Sequence, residues 1–316
     1  MAAPYSIPTT IDSVVLATSL ADYRDTMVDN VYQNNAVLQM LSEKKELIDG
    51  GNSIVQPVMV IKQDDGGFYL GADVLNNTQK NFANQVEFLW QNAYEPIMLT
   101  RDEERQNSGN EHRIVSLVAA KTKSAEKAIA DRMEQAFSAP LADANNLIDL
   151  QTLTSTGTLG TLSGSTVTAW QATVITSGAF VTQGLTDMTT GTYAVSASAT
   201  VDNPTHYLTT KVIFQKFEQT RLPLERIANG TTSANAGFTN LAFKGKPVIY
   251  GNYINTGYMF GLNMNYIHLS VDSMTDLVTT DFLQPVNQTV RVAYVLWRGQ
   301  LWTDNRRRHL QLNSIT

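Results

Sequence analysis

The stretch 108–137 constrains this chain more than any other feature. Ser108 offers an N-cap hydroxyl and Glu111 stands three residues on, the pairing of a capping box. Ile114, Val118, Ala125, Ile129, Met133 and Phe137 then recur at four- and seven-residue spacings, which places them on one helical face. Lys121, Lys123, Glu126, Lys127, Asp131 and Glu134 supply the polar face, and Pro140 stops the helix. At 1.5 Å per residue the rod is roughly 40 Å long, well beyond the average helix of about 12 residues. Such a rod must lay its apolar stripe on other elements. It is a structural spine rather than a catalytic feature.

Upstream, Asp12 or Ser13 caps a second helical stripe: Leu16, Leu20, Tyr23, Met27 and Val31. It continues less cleanly to Leu38 and Leu41, with Gly50-Gly51 as its expected end. It reads equally as a core helix or as an arm lying on a neighbour. Residues 54–61 are rich in Val and Ile and read as a strand. Asp64-Asp65-Gly66-Gly67 reads as a turn and Phe68-Tyr69-Leu70 as the return strand of a β-hairpin. Pro57 cannot donate to a ladder, so this strand belongs at an edge. A long apolar edge needs a cover, either its own core or the next subunit.

Val86, Phe88 and Trp90 alternate as in a half-buried strand, and Ile97-Met98-Leu99 form another. Between about 150 and 200 the chain turns to Thr, Ser, Gly and Ala with little charge, and reads as loops and short strands. Thr209 or Thr210 caps a helix through Phe217, ended by Pro223. Strands follow at 242–243, 247–250, 258–262 and 266–271, and the C-terminal region alternates from Val290 through Trp297. Strands and helices mix without βαβ regularity, so the class is α+β.

Composition narrows the function. The chain has 316 residues, 16% of them charged, where about a quarter is usual. Surface short of charge hints at extensive protein contacts. A net charge of −6 argues for containing nucleic acid rather than gripping it. There is no cysteine, which removes disulfides and thiolate metal sites. The N-terminal residues lack a signal peptide, and no apolar run nears the ~20 residues that cross a bilayer. A soluble protein made in a cytoplasm is expected. The four histidines, His112, His206, His268 and His309, have no ligand spacing. No nucleophile elbow, phosphate-binding loop or zinc-binding helix motif occurs. Asp64-Asp65-Gly66 lacks the remaining ligands of a calcium loop. Asp102-Glu103-Glu104 reads as a helix-dipole complement or a solvated run. Arg306-Arg307-Arg308 is the best nucleic-acid candidate, with subunit-to-subunit ion pairs at least as good a reading. No catalytic, metal or cofactor residue is expected.

Several stretches in a shared order carry a resemblance. They are Asn107-Ser108-Gly109 with Ile114, Leu117 and Lys121-x-x-x-Ala125-Glu126-Lys127, and Gly160 through Trp170-Gln171-Ala172. Next come Pro204 through Thr209-Thr210 to Phe214, and Phe243-Lys244-Gly245-Lys246-Pro247-Val248 through Gly257-Tyr258 to Leu262-Asn263. The last runs from Asp281-Phe282 through Pro285-Val286-Asn287-Gln288 and Ala293-Tyr294-Val295-Leu296-Trp297 to Asn305-Arg306-Arg307. Together they cover most of the chain from about residue 80. The chain resembles the major capsid proteins of tailed phages that share the HK97-like fold.

The resemblance implies an N-arm at 1–49 and an E-loop hairpin at 50–80, laid over a neighbouring subunit. A P-domain follows at 81–140 and 276–304, with its spine helix at about 108–137. An A-domain takes 141–275 and 305–316. The implied function is self-assembly as pentamers and hexamers into an icosahedral head enclosing double-stranded DNA, with no enzymatic activity and no membrane. The virion is the implied location, after assembly in the host cytoplasm. The early start of the N-arm implies a separate scaffolding protein or none; portal and decoration proteins are further implied partners. Assembly contacts are expected at Lys62, Asp64, Asp65, Phe68, Tyr69, Arg306, Arg307 and Arg308. Rival readings are an encapsulin-like compartment, a hydrolase built from distant residues, and a β-rich adhesin.

Overall fold

The computed structural model describes residues 35–62, 64–76, 78, 80–106, 111–143, 145–198, 201–228, 242–286 and 288–316. The stripe at 16–31 and the N-cap Ser108 lie outside the described residues. In chain order the elements are α1 (Ala36–Ser42), β1 (Lys45–Ile48), β2 (Ser53–Met59), β3 (Ala83–Leu89), β4 (Gln91–Thr100), α2 (Arg101–Gln106) and α3 (Glu111–Ser138). Then come α4 (Leu150–Leu153), β5 (Thr158–Leu159), β6 (Leu162–Ser163), β7 (Thr173–Thr176), a π turn (Phe180–Gly184), α5 (Leu185–Val195), β8 (His206–Thr209) and α6 (Lys211–Ala228). The rest is strand: β9 (Ala242–Phe243), β10 (Lys246–Tyr250), β11 (Met259–Leu262), β12 (Ile267–Asp272), β13 (Val278–Thr279), β14 (Val290–Thr303) and β15 (Leu310–Asn313).

One sheet has the order β1-β12-β14-β13, with β4 also on β14; a second has the order β7-β15-β11-β8-β10-β9. Mixed parallel and antiparallel neighbours confirm the α+β class: β1 runs parallel to β12, and β12 antiparallel to β14.

The chain divides into two compact units. Among described residues the smaller takes Asn92–Arg132 and Met274–Trp297. Its β14 segment buries Ala293, Val295 and Trp297, its β4 buries Ile97 and Leu99, and its α3 segment buries Leu117, Ala125 and Ile129. Thr100 and Glu103 form a reciprocal capping box on α2. The Glu103 carboxylate accepts from Thr100 N at 2.9 Å, and Glu103 N donates to Thr100 Oγ1 at 3.3 Å. Lys121 Nζ lies 2.7 Å from the same carboxylate and also donates to Met98 O. Burial alone pushes the Glu103 carboxyl up, but the Lys121 and Thr100 hydrogen bonds outweigh it and hold it below its ordinary value. The acidic triplet is thus a cap and an ion pair.

The larger unit takes Asn35–Gln91, Met133–Ser273 and Arg298–Thr316. Its main core gathers Phe180, Tyr207, Phe217, Phe243, Met259 and Leu310, with Phe180–Phe217 and Tyr207–Phe243 edge to face at 6.4 and 5.4 Å. Several expectations change here. The N-terminal helix ends at Ser42, not at Gly50, because residues 45–48 leave it to ladder with β12. The Thr-rich segment holds a helix, α5. Its Met188, Gly191, Thr192 and Val195 are buried, and a Cβ on Gly191 would lie 2.5 Å from Leu310 Cδ1. α6 runs past Pro223 to Ala228. Glu134, expected on the polar face of the spine, is 1% exposed and accepts from Val37 N at 3.1 Å and Leu38 N at 2.5 Å. It caps α1.

His309 is fully buried. Asn263 N donates to its Nδ1 at 3.3 Å, so Nε2 carries the hydrogen and donates to Thr303 Oγ1 at 3.1 Å; Thr303 in turn donates to Tyr266 O at 2.6 Å. Burial pushes the imidazole down to about 3. An unfolded histidine titrates near 6.5, so between about 6.5 and 3 the unfolded chain binds the extra proton. Stability is therefore lost as pH falls through this window, at up to about 1.4 kcal/mol per pH unit from this group. NMR should show the His309 ring neutral in the folded protein at pH 4.5, with the urea midpoint falling from pH 7 to 4.5. A ring that titrates near 6.5 in the folded protein would contradict this.

Candidate assembly surface

β2 and β3 form an antiparallel hairpin in register from Ser53↔Leu89 to Met59↔Ala83. The pleat sends alternate residues to opposite faces. Ile54, Val58, Val86 and Phe88 turn inward against Leu159, Leu162, Trp170 and Trp302, all in the larger unit. Phe88 lies 6.0 Å from Trp302, ring to ring. Val55, Met59 and Leu89, on the other face, are exposed. The β5–β6 turn presses against β3: Glu87 N donates to Thr161 Oγ1, and Gly160 has φ +62°, with Val86 Cγ1 and Glu87 O 2.6 and 2.7 Å from where its Cβ would stand. Only glycine fits there. Gln300, 2% exposed, fastens the second strand by donating to Leu89 O while accepting from Ile148 N.

Beyond Val60, which still packs against that cluster, the support ends. Val60 N donates to Phe82 O, but the described residues between 62 and 81 form no ladder. The expected return strand at Phe68-Tyr69-Leu70 is therefore corrected to β3. Those three residues stand between glycines with no strand to pair with, while residues 83–89 match β2 in length and alternation. The neck of this loop is cross-braced: Lys80 Nζ lies 2.7 Å from Asp65 and 3.3 Å from Asp64. Lys80 holds the Asp64 carboxyl below its ordinary value, and the two aspartates raise Lys80. The tip is bare: Phe68 is fully exposed, Val74 99%, Leu70 85%, Tyr69 65% and Leu75 60%. Burying each such side chain is worth about 1.5–3 kcal/mol, and within this chain that gain is not taken. Lys62 is exposed beside them.

The arginine run divides. Arg306 is 0% exposed and is not available to a neighbour. Its guanidinium donates to Leu153 O, Gly157 O, Trp170 O, Thr152 O and Ser155 Oγ at 2.6–3.3 Å. Its acceptors are carbonyls and a hydroxyl, and burial lowers it to about 10, so it stays charged at neutral pH. The expected assembly contact at Arg306 is thus an internal staple. Arg308 donates to Val195 O and pairs with Asp202 at 3.5 Å. Arg307 is exposed.

Sequence reading missed a second bare surface, in the smaller unit. Tyr94 and Met98 on β4 and Tyr294 on β14 are exposed, the two tyrosines edge to face at 6.1 Å, and Leu283 and Val286 precede β14 at 71 and 88%. The period-2 alternation of Tyr94, Pro96 and Met98 against Ile97 and Leu99 was the signal available. Shallow clefts among the described residues include one lined by Glu95, Met98, Lys121 and Ala125 and another by Lys44, Glu46, Asn265 and His268. Among the described residues no His, Asp or Glu cluster is placed to hold a metal, and no helix is long and apolar enough to cross a membrane.

The chain has an HK97-like fold. It superposes on a subunit of the cyanophage A-1(L) capsid with a TM-score of 0.70 at 14% identity, over 93% of this chain and 96% of that one. The capsid of a native GTA particle gives 0.64 at 11% identity, over 94% and 96%. The SrpI encapsulin of Synechococcus elongatus PCC 7942 gives 0.58 at 10% identity, over 98% and 96%. No protein-family model matches the chain, and no curated protein does.

Gly160→Ala should force β3 off the β5–β6 turn. We expect a loss of roughly 1–3 kcal/mol in urea unfolding, with faster proteolysis within residues 60–82. An unchanged midpoint and cleavage rate would mean that the turn does not hold the hairpin.

Proposed function

We propose that this chain is the major capsid protein of a tailed phage, self-assembling as pentamers and hexamers into the icosahedral head that encloses double-stranded DNA. The observation that carries the reading is the hairpin: half of it is buried in its own body, and its tip is apolar and bare. The likeness to phage capsid structures along almost the whole chain supports it. In this reading residues 1–49 are the N-arm and 50–80 the E-loop. Residues 81–140 and 276–304 are the P-domain, and 141–275 with 305–316 the A-domain. The tip residues Lys62, Asp64, Asp65, Phe68 and Tyr69 meet a neighbouring subunit, with Arg307 and Arg308 as further contacts.

The function is association, not catalysis. Contacts around a capsomer are head to tail, and rotation closes the ring. A standard contact buries roughly 1,600 Å², and many weak contacts in a closed shell outlast any one of them. A subunit that serves both five- and six-fold rings needs contacts tolerant of angle, which a projecting loop provides. DNA is enclosed without sequence-specific binding. Portal and decoration proteins, with a separate scaffolding protein or none, are the further partners, and the phage head, assembled in host cytoplasm, is the location.

The likeness to an encapsulin favours a second reading, a cargo compartment, less strongly. Purified shells that carry protein cargo and never DNA would select it. Deleting residues 62–68 should leave a folded subunit, with an unfolding midpoint within roughly 4 °C of the parent, the shift about 1 kcal/mol produces at this size. By sedimentation and negative-stain imaging it should not close shells. Normal shells from this variant would refute the role given to the tip.

A further inference from the structure

Where the hairpin leaves the body, one cation touches three separate segments. Arg298 Nη1 lies 3.2 Å from the Asp272 carboxylate at the end of β12, which is only 8% exposed. Its Nη2 donates to Gly51 O, just before β2, at 3.2 Å. Its guanidinium carbon stands 5.3 Å from the ring centroid of Trp90, just after β3. The planar fork suits this arrangement: two nitrogens reach two acceptors while the face rests on a ring. Arg298 therefore joins the start of the arm, its end, and the body's sheet. The start is otherwise lax. Gly50 and Gly51 have φ of +72° and +100°, and a Cβ on Gly50 would meet nothing within 4 Å. Ser273 Oγ holds Asp49 Oδ1 at 2.5 Å just upstream.

We propose that Arg298 is a positioning residue for assembly, fixing the angle at which the hairpin leaves the body. The proposal rests on the assembly reading above. The seven residues of β2 span about 23 Å at ~3.3 Å each, so a swing of roughly 10° at the root moves the far end by about 4 Å. Apolar contacts lose a quarter to a half of their attraction when opened by about 0.5–1 Å. A loosened root therefore lets Ile54, Val58, Val86 and Phe88 slide on Leu159, Leu162, Trp170 and Trp302 and disturbs the tip's contacts, while the β2–β3 ladder stays paired.

The chain has no cysteine, so labels can be placed singly. Spin labels at Ala72→Cys on the tip and Thr190→Cys on α5 would report the tip-to-body distance by pulsed EPR, in labelled chains diluted into unlabelled ones. Arg298→Met should broaden that distance distribution about twofold and give shells of mixed diameter. Arg298→Lys, which keeps the charge but not the fork, should fall between. Removing the guanidinium exposes a buried carboxylate to the lack of its cation, so if the methionine variant does not fold, the lysine variant decides by the same distances. Unchanged widths and uniform shells would overturn the proposal. So would a general loss of stability without broadening, which would make Arg298 a fold brace only. If the parent protein forms no particles, the assembly reading fails, while the distance widths still report whether Arg298 holds the arm.

Discussion

The half-buried hairpin is the constraint on which the rest of the structure turns. Ile54, Val58, Val86 and Phe88 reach their cover only because Leu159, Leu162, Trp170 and Trp302 meet on one surface. Those four come from three stretches of sequence. The β5–β6 turn brings two of them, the short 3₁₀ turn at Thr168–Trp170 brings the third, and β14 brings the last. Arg306 binds the carbonyls of 152–157 and of Trp170 together, so a buried cation organises the platform on which an exposed arm rests. A lysine would not do this, since its donors radiate from one nitrogen rather than spanning a fork.

The interior is specified by polar groups as much as by apolar ones. Glu134 caps α1 from the far end of the spine, Glu103 caps α2, and Asp149 caps α4 through Thr152 N at 2.8 Å. His309 stays neutral because burial removes the water that would solvate a charged ring, and both ring nitrogens have neutral partners. Each of these groups would be costly if left unpaired. A slipped register would break several at once, which penalises alternative packings more than apolar burial alone does.

How much of this was legible depends on the range of the interaction. The strands between 242 and 272 could be read almost to the residue, because alternation is a local property. The spine helix could be read from its four-residue spacing. What failed was long-range. Residues 45–48 look like the end of a helix until β12 is beside them. Phe68-Tyr69-Leu70 look like a strand, and a strand without a partner is not one. α5 was hidden because Thr and Gly are poor helix formers, and only Leu310 packing against Gly191 explains the small residue there. Three consecutive arginines read as surface, yet the first is the largest fully buried side chain among the described residues. Nothing in a basic run shows which member points inward. The bare tip was legible as apolar and as a hairpin end; that the chain itself does not cover it needed the structure.

A chain that leaves Phe68, Leu70 and Val74 in water on a loop of about twenty residues holds them in an unfavourable state when alone. Large exposed apolar patches mark contact surfaces in proteins that persist in solution, and loops this long in compact proteins are usually functional. The remaining question is why the tip does not fold back. The Lys80 pairs with Asp64 and Asp65 close the neck, and the ladder from Ser53 to Met59 stiffens the stem. Reaching the body would require bending that stem against a docked root and glycine-tight packing at Gly160. The geometry that keeps the tip from its own core is what leaves Phe68, Leu70 and Val74 bare.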